Sequence, residues 1–205
     1  PFMSIRAGVV GGIHARVFRV SFTGELSYEI NVRSGDGLAS WEHLLRVGSS
    51  LGIAPIGSEA NHVLRVEKGY ISMGHEADAM ATPFDLGLHQ FVAMDKADFI
   101  GKRSLLRDVL GDLPRRELVG LLTDDPSIVL PEGAQVLDKS AARACGFVAS
   151  AVMSPTLGRS IALGLIDGGR ARLGSQVRAT LAKGEISAQV VEPVFVDASG
   201  GRPRA

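Results

Sequence analysis

Four charged residues carry the chemistry that can be read from this chain: Glu25, Glu29, Arg65 and Glu67. Glu29 sits in Phe18–Val32 (FRVSFTGELSYEINV), where Phe18, Val20 and Phe22 alternate with Arg19, Ser21 and Thr23. Tyr28, Ile30 and Val32 then alternate with Ser27, Glu29 and Asn31. This period of two predicts a pair of strands joined as a hairpin around Gly24 in the Thr23–Leu26 turn. It puts Glu29 on the face opposite Tyr28 and Ile30. A carboxylate there either meets solvent, the ordinary outcome for glutamate, or lines a site. Glu67 is the odd residue of Val63–Gly74 (VLRVEKGYISMG). On a helix from Ser58 to about Lys68 it shares the apolar stripe of Ala60, Val63 and Leu64, so it needs a partner. A water or loop amide at the last turn serves, and that reading outweighs a catalytic role. Arg65 and Asn61 fall on another face, where an arginine is ordinarily a solvated charge. His75, Glu76 and Asp78 crowd together in GHEAD and are metal-ligand types, but His62 and His89 add no paired ligand spacing. No metal is expected; the acids are read as capping neighbouring amides in a loop.

The elements that must position these residues follow from the same rules. Phe2–Ile5 reads as strand and Gly8–Gly12 (GVVGG) as loop. Gly35–Gly52 reads as a helix capped by Asp36, with Leu38, Trp41, Leu44 and Leu45 as a core stripe. Ser58 can cap the next helix and Gly69 stop it. Thr82–Pro83 begins a turn or helix before Leu86–Leu88, Phe91–Met94 (FVAM) is a candidate strand, and Asp98–Val109 is a helix entered through Gly101. A boundary is expected near Gly111–Pro114, dividing residues 1–112 from 113–205. Beyond it Glu117–Leu122, Gln135–Leu137, Cys145–Val152, Ile161–Ile166, Gln176–Leu181 and Ser187–Val191 are short apolar runs punctuated by Gly and Pro. That pattern predicts an all-β barrel or sandwich. The fold class is therefore α+β, an antiparallel sheet with helices on one face, followed by a small all-β domain. Cys145 has no nearby His or Asp and is expected in the core. Ser154 and Ser160 of SPTLGRS lack a triad pattern, so that loop is read as structural. The Gly/Arg/Pro-rich tail from Ala198 is expected to fray.

Composition narrows the class. The 205 residues are 45% hydrophobic and 21% charged, and 22 Lys plus Arg balance 22 Asp plus Glu. Bulk charge therefore gives no support to nucleic-acid or membrane-surface binding. One cysteine excludes an internal disulfide and a cysteine-based metal cluster. No apolar run approaches a membrane span, and a reducing, cytoplasmic setting is expected. No Gly-rich loop of the P-loop or dinucleotide type occurs, so any redox cofactor of a larger assembly is expected to bind elsewhere. The chain starts at Pro1 in what reads as strand, which suggests a fragment or a processed product.

Taken together and in order, SFTGELSYEI, PIGSEANHVLRVEKGY, GHEADAMATPFDLGL and KADFIGKRSL resemble the folate-dependent aminomethyltransferase family, the T-protein of the glycine cleavage system and its relatives. With the ending SPTLGRSIALGLI, the wording is most like the C-terminal part of the alpha subunit of heterotetrameric sarcosine oxidase. The resemblance runs from about Phe2 to Asp197. It implies a ferredoxin-like part of an aminomethyltransferase fold followed by a β-barrel. It also implies a bound tetrahydrofolate that takes a one-carbon unit, as imine or formaldehyde, and leaves as methylenetetrahydrofolate.

In this family the pterin-binding glutamate matches Glu29. The pterin's exocyclic amine and adjacent ring N–H form a two-donor edge that an ionised carboxylate accepts, each charge-assisted bond contributing about 1.5–3 kcal/mol at best. The arginine of the LRLE-type motif matches Arg65, a donor to the ligand's acceptors. Glu25 and Glu67 match bracing positions, Glu25 holding the hairpin through turn amides. Phe22 stands where T-proteins usually carry Tyr, and Phe91 of His89–Gln90–Phe91 supplies a stacking surface. The resemblance implies no catalytic residue here, because the family's catalytic aspartate lies in a segment that Pro1–Val17 does not match; the chain alone is expected to be catalytically incomplete. It further implies flavin and NAD bound elsewhere in the assembly and the beta, gamma and delta subunits as partners. Two other readings stand beside it: an aminomethyltransferase or dimethylglycine dehydrogenase relative, and a non-catalytic folate-binding or assembly module.

Overall fold

A computed structural model describes residues 1–107, 115–139 and 143–205. The chain divides into two units, residues 1–65 with 197–205 and residues 66–196.

The first unit is built on a three-stranded antiparallel sheet in the order β1 (Ser4–Val10), β2 (Ile13–Arg19), β3 (Glu29–Asn31). The strand expected at Phe2–Ile5 extends through most of GVVGG, and only Gly11 and Gly12, both at positive φ, make the turn. The expected hairpin is real, since β2 pairs β3 through Phe18↔Glu29, Val17↔Ile30 and Arg16↔Asn31. Its first strand, however, lies earlier, its second starts later, and its loop, residues 20–28, is longer than read. The reason is Arg19. Its guanidinium is buried and donates to the carbonyl oxygens of Pro203 and Ala205 at 2.8 and 2.7 Å. The polar member of the alternation thus points inward, and the strand ends there.

The same bonds correct the expected frayed tail. Asp197 also accepts the amides of Gly201 and Arg202, and Arg202 meets Glu25 at 2.7 Å. Glu25 is structural as expected, but its side chain holds the tail and not the turn amides.

Helix α1 (Gly37–Gly48) follows a short 3-10 turn, with Asp36 at its N-cap position but making no side-chain cap bond. Its expected core stripe is a correction: Leu38 and Trp41 are 70% and 51% exposed. The helix seats His43 instead, whose ring lies 2.5 Å from where a Cβ on Gly11 would fall. Helix α2 (Ser58–Glu67) ends where expected, with Gly69 at φ 69°.

In the second unit, the candidate strand Phe91–Met94 is a 3-10 turn, His89–Phe91, closed by Phe91 N–H to Leu88 O and Val92 N–H to His89 O. The expected Asp98–Val109 helix is one turn, α3 (Lys102–Leu105), entered from Gly101 at φ 95° and closed at Leu106. Val109 and the expected boundary at Gly111–Pro114 lie outside the described residues.

Six strands then close a barrel: β4 (Arg116–Thr123), β5 (Gln135–Asp138), β6 (Ala144–Ser154), β7 (Arg159–Asp167), β8 (Gln176–Thr180) and β9 (Glu185–Val191), in the order β4-β7-β6-β5-β8-β9 with β9 returning to β4. All six expected runs are strands. Val119, Leu121, Val136, Val148, Ala162, Ile166, Val177 and Val190 fill the interior at 1% exposure or less. Cys145 packs with them. Burial, with the charge of Asp167, raises its pKa, so it is an inert thiol. The 82–87 turn is pinned to the barrel by Asp85, which accepts the Thr82 amide and hydroxyl and pairs with Arg115 at 2.5 Å. Burial alone would raise the Asp85 pKa, but Arg115 and the Thr82 bonds outweigh it and hold the carboxyl below its ordinary value.

Two outcomes test this packing. A Cβ at Gly146 would lie 2.2 Å from the Leu165 carbonyl oxygen, so Gly146→Ala lowers the unfolding free energy in urea by about 1–3 kcal/mol. Because the Asp85 pKa is depressed on folding, its stabilisation is present above the unfolded value near 3.8 and is lost as pH falls through the folded value. The chain unfolds more readily at pH 3 than at pH 6, and Asp85→Asn flattens that part of the profile.

Candidate functional site

The sheet of the first unit sorts its side chains by alternation. The β1–β2–β3 register places Ile5, Ala7 and Val9 on one face with Phe18, Arg16 and His14, and with Glu29 and Asn31. This face is open: Ile5 and Val9 are 53% and 60% exposed, and Arg16, Glu29 and Asn31 are exposed. The opposite face carries Ala15 and Arg19, both buried.

Glu29 is thus exposed, as an isolated strand carboxylate ordinarily is. Its carboxylate makes no hydrogen bond or ion pair among the described residues, so both its oxygens are available as acceptors. Phe22, expected on a strand, lies in the 20–28 loop that leads into β3 and is 48% exposed. Tyr28, in the same loop, lies under the Arg19 guanidinium at 5.1 Å from the ring centre. Arg65 corrects the expectation of a solvated charge. It is 1% exposed, with Nη2 3.2 Å from His62 Nδ1. A buried guanidinium needs hydrogen-bond partners, and His62 of α2 supplies one.

Phe91 belongs to the second unit, in the 3-10 turn, and is 74% exposed. There, too, the bracing role expected of Glu67 is explicit. At 2% exposure it accepts from Ser154 Oγ at 2.5 Å, Thr156 Oγ1 at 2.8 Å and the Thr156 amide at 3.3 Å. The two serines of SPTLGRS are buried structural residues, and Ser154 also caps the Leu157 amide. In GHEAD, Glu76 accepts the Ser72 amide, and Asp78 accepts those of Met80 and Ala81. Among the described residues no group of three or more His, Cys, Asp or Glu is placed to hold a metal. No described helix is long and apolar enough to cross a membrane.

Comparison with known proteins settles the lineage. The GCVT N-terminal domain matches residues 1–96, and the glycine cleavage T-protein C-terminal barrel domain matches residues 116–197. The chain belongs to the glycine cleavage T-protein family. The sarcosine oxidase subunit alpha of a Corynebacterium species is 39% identical over 197 residues, 93% of this chain and 20% of that protein. That of Rhizobium meliloti is 38% identical over 198 residues, 94% and 20%. The aminomethyltransferase of Moorella thermoacetica is 33% identical over 189 residues, 92% of this chain and 50% of its own length. The crystal structure of glycine cleavage system aminomethyltransferase T from Bartonella henselae superposes with a TM-score of 0.80 at 27% identity, covering 90% of this chain and 50% of that one. The chain thus spans between a fifth and about half the length of these relatives. The family is one of folate-dependent one-carbon enzymes, and the α+β part followed by a six-stranded barrel is its fold.

Sequence reasoning missed the polar residues that share the face of Glu29. Arg16 and Asn31 stand opposite each other across β2 and β3, and the alternation that begins at Ile13 is the signal that would have found them. The bracing by Glu67 yields its own test. Glu67→Ala strands the buried Ser154 and Thr156 donors and lowers the unfolding free energy by roughly 2–4 kcal/mol, read by urea melts. Glu67→Gln costs less.

Proposed function

We propose that this chain is the folate-binding, one-carbon transfer region of a sarcosine oxidase alpha subunit, with residues 1–112 as the folate-binding α+β domain and 113–205 as the barrel domain. The observation that carries the reading is Glu29, an exposed carboxylate with no partner among the described residues, on the open face of β3 at the motif position of the family's pterin-binding glutamate. Its two oxygens suit the two N–H donors of a pterin edge. Phe22 offers an exposed ring on the loop before β3, and Phe91 another in its own unit. Arg65 contributes by fixing α2 or, where its guanidinium reaches the ligand, as a donor. Tetrahydrofolate, when bound, accepts the one-carbon unit as methylenetetrahydrofolate; these residues bind and orient it and supply no acid–base group. The similarity to sarcosine oxidase alpha supports a setting in the cytoplasm beside beta, gamma and delta subunits, with flavin and NAD held outside these residues.

The second reading, an aminomethyltransferase, is favoured by the 33% identity to such enzymes. Phe22 in place of tyrosine weighs against it, because that hydroxyl is missing.

Glu29→Ala tests the site. Tetrahydrofolate affinity by titration calorimetry falls by about one to two orders of magnitude, with the far-UV circular dichroism unchanged because the side chain is exposed. Sarcosine oxidation in the assembled enzyme stays largely intact. Unchanged affinity removes Glu29 from the pocket.

A further inference from the structure

Residues 197–205 fold back on themselves, although their composition predicts a loose end. Asp197, at φ 51°, accepts the amides of Gly201 and Arg202. The Gly200 amide closes on the Asp197 carbonyl, and Arg204 Nη1 donates to the carbonyl oxygens of Ser199 and Gly200. The short turn Arg202–Arg204 buries Pro203. This arrangement presents two carbonyl oxygens, those of Pro203 and Ala205. Arg19, at the end of β2, donates to both, one from each terminal nitrogen. Arg19 is only 8% exposed, so little water competes for those N–H groups.

The same guanidinium also touches the loop before β3. Its carbon lies 5.1 Å from the centre of the Tyr28 ring, within cation–π range, and Tyr28 is the residue before Glu29. Earlier in the 20–28 loop, Glu25 pairs with Arg202 at 2.7 Å. The loop is thus tied to residues 197–205 twice, once through Glu25 and once through Tyr28 and Arg19. β3 holds itself weakly. It is three residues long, lies at the sheet edge and pairs with β2 alone among the described strands. So few ladder bonds open readily.

We propose that residues 197–205 are a positioning element for the ligand-binding loop: their hold on Arg19 and Glu25 fixes Tyr28, and so sets where the Glu29 carboxylate stands. The proposal deepens the tetrahydrofolate reading above and rests on it. A loop already kept in its binding conformation has no ordering cost left at binding. If the competent conformation is populated only about a tenth of the time, apparent affinity is about tenfold weaker. The exposed Glu25–Arg202 pair adds little alone. The buried Arg19 fork, with two charge-assisted bonds, is the main hold.

The test combines hydrogen exchange by mass spectrometry with tetrahydrofolate calorimetry on the full chain and its variants. Deletion of residues 202–205 is expected to speed exchange in the 16–31 segment about tenfold while the barrel strands keep their rates. It also weakens tetrahydrofolate binding about tenfold. Arg19→Lys, which keeps the charge but not the fork, moves both readouts the same way by a smaller factor. Arg202→Glu weakens binding about twofold, and the swap Glu25→Arg/Arg202→Glu restores it, a rescue that a purely structural role in the tail would not give. Unchanged exchange in 16–31 on deletion overturns the proposal, as does unchanged affinity despite faster exchange. If the deletion variant does not fold, Arg19→Lys decides by the same two readouts. If wild type binds no tetrahydrofolate but deletion still frees 16–31, the hold on the loop stands and the folate reading alone fails.

Discussion

The buried carboxylate of Glu67 is the interaction on which the second unit depends. A charge so far from water is tolerated only when donors surround it, and removing them leaves a cost of several kcal/mol. Ser154 and Thr156 supply those donors from the loop between β6 and β7. The backbone repeats the tie, since the Glu67 carbonyl accepts from the amides of Phe195 and Val196. Gly69 completes it: a Cβ there would fall 2.3 Å from the Pro193 carbonyl oxygen, and its φ of 69° is one that glycine adopts without strain. The end of α2, the strand-joining loop and the segment after β9 are thus held by one acid and its own peptide unit.

The first unit follows the opposite economy. One face of its sheet is closed over Ala15 and Arg19, and the other leaves Ile5, Val9, Arg16 and Glu29 to solvent. Arg19 buries its charge against carbonyl oxygens of the chain's last residues, which leaves the ionic groups of the open face uncommitted. Arg19 is paired inward here, and Glu29 is left outward.

Much of this was legible in the sequence, for identifiable reasons. The barrel strands were found within a few residues, because buried strands are continuous apolar runs and Gly or Pro marks their ends. Glu67 was legible as a carboxylate on an apolar stripe, and the need for a partner predicted one. Arg19 misled, because alternation assumes that arginine faces water, and backbone oxygens, here those of Pro203 and Ala205, can satisfy it instead. The α1 stripe misled differently: periodicity says which residues share a face, not what covers it, so Leu38 and Trp41 read as core. At Glu29 alternation gave the face, but it does not distinguish a solvated acid from one that grips a ligand. That assignment rests on the wording of the motif.

The barrel's closure has a consequence for synthesis. β4 pairs with β7 and β9, and the Gly120↔Val191 contact joins the first strand of the barrel to its last. As the nascent chain leaves the ribosome, one edge of β4 stays unpaired until β9 has emerged. Such long-range pairing is slow. Throughout that interval an apolar strand edge is available to neighbouring nascent chains, which makes this stretch of translation a point where chaperone capture matters.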